Sequence, residues 1–364
     1  MAGIYIHIPF CKSRCVYCGF YSTTGLSLRQ RYAEAIISEM QMRCRQSPVS
    51  TIYLGGGTPS QLTISQLNQL LDALYIYNKV EENAEITIEC NPDDVTEEFA
   101  AGLKELPVNR VSMGAQTFND DRLQFLHRRH TAAQVVTAVK RLRQADIQNI
   151  SIDLMYGLPG ETLDDFEADI THALALNVEH LSSYCLMIEE GTPLHKMPVH
   201  LCDEEHEREM YYRLLERMEE AGYEHYEISN FARKGYRSRH NSGYWNGTPY
   251  IGIGAAAHSY DIRSRSWNVS DIHQYIEGME HGERIFEEEL LDDNTRYNDT
   301  ITVALRTCEG INLDSLTETY RNYCLKNARR FLDDGLLELS GHHLHLMRDA
   351  LFVSDMVMSE LIYI

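Results

Sequence analysis

The chain has 364 residues, 43% hydrophobic and 24% charged, which is usual for a soluble globular protein large enough to build a core without disulfides or metal. Its formal charge of −21 excludes a bulk nucleic-acid binder, because phosphate backbones attract basic surfaces. No stretch approaches the roughly 18 apolar residues of a bilayer span, and Met1–Lys12 lacks the pattern of a signal peptide, so the expected place is the cytoplasm, with any membrane contact peripheral.

The first 190 residues alternate between short β-rich runs and helical patterns. The runs are Ile4–Ile8, Thr51–Leu54, Ile86–Cys90, Arg110–Met113, Ile150–Met155 and Leu181–Met187. Helical periodicity fills about 27–45, 63–77, 96–105, 132–145 and 162–176, and a further helix over 204–221 follows the last strand. Six βα units in series predict an α/β fold with a parallel sheet and helices outside, either open and doubly wound or an incomplete barrel. In such folds the ligand site lies at the carboxyl ends of the strands. The loops there read CKSRCVYC, GGGTP, CNPDD, GAQTF, YGLPG and IEEGTP, so they should converge on one mouth.

The expected organisation is a barrel over 1–221, an edge segment over 222–290 and a small C-terminal unit over 291–364. The edge segment is rich in Tyr, Gly, Asn and His and reads as short strands and loops laid across the mouth or edge of the barrel. In the C-terminal unit, Phe331–Leu339 and Leu344–Met347, split by Ser340–His343, read as a helix end and a two-stranded wing. Winged helices often bind DNA, but the acidic surroundings argue against it here.

Nine cysteines, an odd number in a long chain, fit reduced thiols and metal ligation better than a disulfide framework. Cys11, Cys15 and Cys18 form C-x3-C-x2-C, three thiolates able to wrap one soft metal centre. A [4Fe–4S] cluster with one open iron fits this spacing, and so does a zinc site completed by Cys90 or Cys185. The run Gly55-Gly56-Gly57-Thr58-Pro59 follows a strand and lacks the Walker lysine, so its glycines serve a tight turn or let a ligand other than ATP approach the backbone. Glu89 and Asp153 sit near strand ends, placed either to accept from a ribose or amino group or simply to be solvated.

YIHIPFCKSRCVYC, GGGTP, IECNPDD, SMGAQTF and DLMYGLPGET, in this order, resemble the radical S-adenosylmethionine enzymes, and more narrowly the oxygen-independent coproporphyrinogen III oxidase family. The resemblance spans essentially the whole chain. It implies a partial (β/α)6 TIM-like barrel with a small C-terminal helical, winged-helix-like domain. It also implies a [4Fe–4S] cluster on Cys11, Cys15 and Cys18, with S-adenosylmethionine as cofactor and a flavodoxin- or ferredoxin-like electron donor. Tyr5, Tyr17, Gly56, Gly57, Thr58, Glu89, Gln116, Arg128 and Asp153 match the family's cofactor contacts, and Met187 matches a minor backbone contact. Arg129, beside Arg128, is the rival for that position.

Two features separate the chain from the oxidases. Those enzymes carry a further cysteine where this chain has Phe20, and this chain carries HNxxYW over His240–Trp245. Together they resemble the HemW-type heme chaperones, which bind heme and hand it to haemoproteins. His240 is then the expected heme-binding residue, with Tyr244 and Trp245 as flat apolar surface and Arg237 or Arg239 facing a propionate. His7, His225 and His258 are rival ligands. The alternatives are an oxygen-independent coproporphyrinogen III dehydrogenase, which decarboxylates two propionates to vinyls, and a radical enzyme of other substrate.

Overall fold

Six strands lie side by side in chain order, all parallel: β1 (Ala2–Ile8), β2 (Pro48–Gly56), β3 (Lys79–Cys90), β4 (Arg110–Gln116), β5 (Asn149–Tyr156) and β6 (His180–Cys185). The computed structural model describes residues 2–44 and 46–364. Between the strands run α1 (Arg29–Arg43), α2 (Ile64–Tyr77), α3 (Glu97–Lys104), α4 (Asp120–Phe125), α5 (Ala132–Gln144) and α6 (Leu163–Ala175), with α7 (Glu204–Glu220) after β6. The strands are buried almost without interruption, as parallel strands covered on both faces must be. Threonine starts α2, α3, α5 and α6: in α2 and α6 the Thr63 and Thr162 side chains accept from the backbone N–H three residues on, and Gln66 and Asp165 complete the reciprocal bonds.

The helix boundaries agree with the sequence periodicity to within about two residues. The edge segment does not read so simply. β7 (Glu224–Glu227) and β8 (Asn230–Ala232) extend the sheet antiparallel beyond β6. HNxxYW, expected among strands and loops, forms a helix, α8 (Arg239–Trp245). β9 (Tyr250–Ile253) then pairs parallel with β1, a seventh parallel strand where six were expected. β10 (His258–Tyr260), β11 (Ser264–Asn268) and, after α9 (Ile272–Glu280), β12 (Phe286–Leu290) continue antiparallel. The sheet runs from β12 to β7 without closing, which makes it a partial barrel.

From Tyr297 onward a second core forms, with Ile301, Phe331, Leu344, Val357 and Leu361 at its centre. Its elements are α10 (Asp293–Ala304), β13 (Ile311–Asn312), α11 (Glu318–Asp333), β14 (Leu337–Ser340), β15 (His343–Leu346) and α12 (Ser354–Leu361). The expected two-stranded wing has a third strand, because β13 pairs with β15. Among the described residues no helix is long and apolar enough to cross a membrane.

Candidate functional site

The carboxyl ends of the strands enclose a cavity of about 630 Å³. Its wall includes Cys11, Cys15 and Cys18, all free thiols. The cysteine loop is pinned by Val16, whose amide donates to the Leu126 carbonyl (3.3 Å) and whose carbonyl accepts from the Leu194 amide (2.8 Å). Val16, Leu126, Met155, Leu158, Leu186 and Leu194 pack into a small core beneath the loop. Burial raises the Cys11 and Cys18 thiol pKa values, so both are protonated until a metal displaces the proton. Among the described residues no three His, Cys, Asp or Glu side chains gather closely enough to hold a single metal ion. A cluster needs thiols spread apart, because each one binds a different iron.

Most of the expected contacts share this cavity: Tyr17, Gly56, Gly57, Thr58, Glu89, Gln116, Arg128 and Asp153 all line it. Glu89 accepts from the Tyr53 hydroxyl (2.7 Å) and the Gly56 amide (3.1 Å). Burial pushes its pKa up to about 7, partly opposed by the Tyr53 bond. Asp153, also raised by burial, accepts from Ser112 Oγ (3.4 Å). Gln116 holds a left-handed backbone (φ 68°) at the end of β4, where the ladder slips against β5. The two neighbouring arginines take different partners. Arg128 donates to Asn91 Oδ1 (2.9 Å), the Gly114 carbonyl (2.6 Å) and Cys15 Sγ (3.5 Å), inside the cavity. Arg129 instead pairs with Asp93 (2.8 Å) and Asp94 (3.0 Å).

Two expectations need correction. Tyr5 is not on the cavity wall: its hydroxyl bonds His7 Nδ1 (3.0 Å) and its ring stacks on Tyr53, so it supports the wall from behind. Gly56 and Gly57, which line the cavity, are also needed by the backbone. A Cβ on Gly56 (φ 110°) would lie 2.5 Å from the His7 ring, and one on Gly57 would lie 2.7 Å from the Pro9 backbone. His240 is 3% exposed and both ring nitrogens are engaged, Nδ1 with Thr51 Oγ1 (2.9 Å) and Nε2 with the Tyr244 hydroxyl (2.9 Å). Burial and the Arg110 guanidinium hold its pKa down to about 3. It is a neutral, packed imidazole and not an open ligand. The rivals are no better placed: His7 is engaged at both nitrogens, His225 bonds the Ile228 carbonyl and His258 stacks on Trp267.

Arg110, which sequence reasoning passed over, is 1% exposed, with Nε and Nη1 unpartnered. The available signal was strand alternation, since 110, 112, 114 and 116 all face the cavity.

A second, larger cavity of about 1270 Å³ lies on the other side of α8, between the sheet edge and α10. Arg239, Ser242, Tyr244 and Trp245 of α8 line this outer groove, while Asn241 of the same helix lines the cysteine cavity. Both expected arginines are here, together with Arg265 and Arg296 from segments whose convergence no local pattern announces. Arg237 pairs with Glu224 (3.3 Å) and Glu309 (2.6 Å), Arg265 with Asp299, and Arg296 with Asp293. The indole N–H of Trp245 is buried without a partner.

Comparison with known proteins agrees with this architecture. The Radical SAM superfamily model matches residues 5–173, and the HemN C-terminal domain model matches residues 291–353. The chain is 36% identical to "Heme chaperone HemW" of Lactococcus lactis subsp. lactis (strain IL1403), over 92% of this chain and 88% of that protein. It is 37% identical to the protein of the same name from Bacillus subtilis (strain 168), over 88% of this chain and 87% of that one. A solved structure of coproporphyrinogen III oxidase (HemN) from Escherichia coli superposes with a TM-score of 0.84, over 99% of this chain and 90% of that one, at 20% identity, which shows a shared fold. With identity sustained over most of both chains, this chain belongs to the HemW family of the radical SAM superfamily.

Proposed function

We propose that the chain is a heme chaperone: it holds heme in the outer groove and passes it to a haemoprotein, with a [4Fe–4S] cluster and S-adenosylmethionine in the adjoining cavity. One observation carries the reading, namely that α8 is a wall common to a thiol-lined cavity and an arginine- and aromatic-lined groove. Cys11, Cys15 and Cys18 would hold the cluster. Thr58, Glu89, Gln116, Arg128 and Asp153 would hold the cofactor, and Tyr17 would cover its adenine. When bound, the two groups supply one-electron reductive cleavage of a sulfonium. The chain's own residues orient the cofactor and exclude water: Arg128 braces Cys15, and the carboxyls of Glu89 and Asp153 offer acceptors in a dry wall. In the groove, arginines would meet propionates, and Tyr244 and Trp245 would meet the porphyrin face. A flavodoxin- or ferredoxin-like donor and a cytoplasmic site fit this reading, as does a C-terminal unit over 291–364 that supplies the groove's outer wall.

The second reading, coproporphyrinogen III dehydrogenase, shares the barrel. Phe20, 69% exposed on the cavity wall, stands where that chemistry's enzymes carry a cysteine, and this disfavours it. The test is anaerobic reconstitution followed by hemin titration. The expected result is about four iron and four sulfide per chain and a shifted Soret band near one heme per chain. Replacing Cys11, Cys15 and Cys18 together by Ala should remove the iron and sulfide and leave heme binding. No Soret shift would overturn the chaperone reading.

A further inference from the structure

We propose that Asn91 is a positioning residue for the iron–sulfur cluster: it bridges Thr58 and Arg128, the side chains that reach the thiols of Cys11 and Cys15, and so sets how readily the cluster accepts an electron. The proposal rests on the cluster in the reading above and adds what the chain does to it.

Five side chains form one hydrogen-bonded row along the cavity wall. Cys11 Sγ lies 3.5 Å from Thr58 Oγ1, which accepts from Asn91 Nδ2 (3.4 Å). Asn91 Oδ1 accepts from Arg128 Nη2 (2.9 Å), and Arg128 Nη1 donates to Cys15 Sγ (3.5 Å). All five residues line the cavity. Asn91 stands at the centre, where a neutral amide can accept at one end and donate at the other. Cys18 lies outside the row and takes its bond from the Phe20 backbone.

The amide also sets the polarity of the row. Asn91 Nδ2 fills an acceptor position on Thr58, which leaves the Thr58 hydroxyl proton for Cys11. A thiol bound to iron has lost its own proton, so the hydroxyl is the donor of that pair. On the other side, Asn91 Oδ1 and the Gly114 carbonyl (2.6 Å) both hold Arg128 Nη2, which turns Nη1 toward Cys15. Both thiols thus receive a donor, and one donor is charged. Donors to cluster sulfur stabilise the added negative charge of the reduced state and raise the potential.

The Asn91 side chain does not serve as a helix cap. It precedes the short turn Pro92–Asp94, in the place of a capping residue, yet makes no capping bond. The turn is held from behind instead. Buried Asp94 accepts from Lys12 of the cysteine loop (2.8 Å), Ser60 (3.1 Å), Gln61 (2.5 Å) and Arg129 (3.0 Å). Its amide donates to the Asn91 carbonyl (3.0 Å). The backbone over 91–94 is thereby fixed to the cysteine and GGGTP loops, with the Asn91 amide left facing the cavity.

The full chain, reconstituted anaerobically and kept free of S-adenosylmethionine, tests this in a dithionite titration with redox mediators, followed by electron paramagnetic resonance. Asn91→Ala, and the isosteric Asn91→Asp, which cannot donate to Thr58, should load iron as wild type does but be harder to reduce. At the wild-type midpoint, the ratio of reduced to oxidised cluster should fall about tenfold, equal to about 59 mV for one electron. Thr58→Val should move the midpoint the same way by less. Asn91→Ala added to Thr58→Val should cost less than Asn91→Ala alone. A residue that merely holds the loop would change iron content or melting temperature and leave the midpoint in place. Where Asn91→Ala does not load, Asn91→Asp and Thr58→Val carry the comparison. A ratio within about twofold of wild type in the loaded variants overturns the proposal and leaves the cluster reading standing. No cluster signal from reconstituted wild type overturns both.

Discussion

Glu89 shows how one residue is placed under opposing demands. It sits where a cofactor's polar groups would be received, yet burial pushes its carboxyl pKa up to about 7, so the group is protonated below neutrality. An acid whose folded pKa lies above its unfolded one stabilises the fold while protonated, and loses that contribution as pH rises through the folded value. The window therefore runs from the ordinary carboxyl value of about 4.3 up to the raised one. Glu89→Gln, permanently neutral, should raise the melting temperature of the ligand-free chain above pH 7 and leave it little changed near pH 4.5. Thermal unfolding at the two pH values checks this, and equal shifts at both would contradict it. At this scale the sequence was readable where the signal is local. Three cysteines within eight positions and a GGGTP loop announce a site by themselves. Arg128 and Arg129 could not be told apart until the fold turned one toward Cys15 and the other toward Asp93. His240 looked like a ligand because its burial and its Thr51 partner come from elsewhere in the chain, and its bond to Tyr244, four residues on, shows only once the motif is known to be helical.

The helix α8 carries the same lesson at the scale of elements. Arg239–Trp245 contains a glycine and two aromatics and has little intrinsic reason to be helical. Ser238 caps it by accepting from the Asn241 amide (3.3 Å). Glu85, far away on β3, accepts from the Arg239 and His240 amides at 3.0 Å each. A carboxylate at a helix N-terminus satisfies orphan donors and complements the dipole. The helix is thus fixed by a tertiary contact that local sequence cannot show, whereas the longer barrel helices, with their regular periodicity, were legible to within a turn and only the six-residue α4 was not. Glu85→Ala should destabilise the chain by about 1–3 kcal/mol, the scale of leaving buried donors unpaired. Glu85→Gln should recover part of the loss. Urea unfolding measures this, and a change below about 0.5 kcal/mol would mean that the cap is idle. β9 escaped the sequence reading for a related reason: four residues after a seven-residue helix give no βα rhythm to detect.

Across the whole molecule, α8 joins the two halves of the account. On one side lies the cavity at the strand ends, which the order of βα units foretold. On the other lies the groove, whose far wall belongs to α10 and which no single stretch of sequence encodes. In a chain of net charge −21, the groove gathers four guanidinium groups, of Arg237, Arg239, Arg265 and Arg296, three of them paired with carboxylates that an anionic cargo would have to displace. The shared fold with an Escherichia coli coproporphyrinogen III oxidase means that architecture alone does not separate carrier from enzyme; the sustained identity to heme chaperones is what favours the carrier. The measurement that tests this most directly is the fate of coproporphyrinogen III incubated anaerobically with the cluster-loaded chain, reductant and S-adenosylmethionine. The account predicts that the porphyrinogen is recovered unchanged, with no protoporphyrinogen IX, from protein that binds about one heme per chain. Sustained conversion to protoporphyrinogen IX would contradict it.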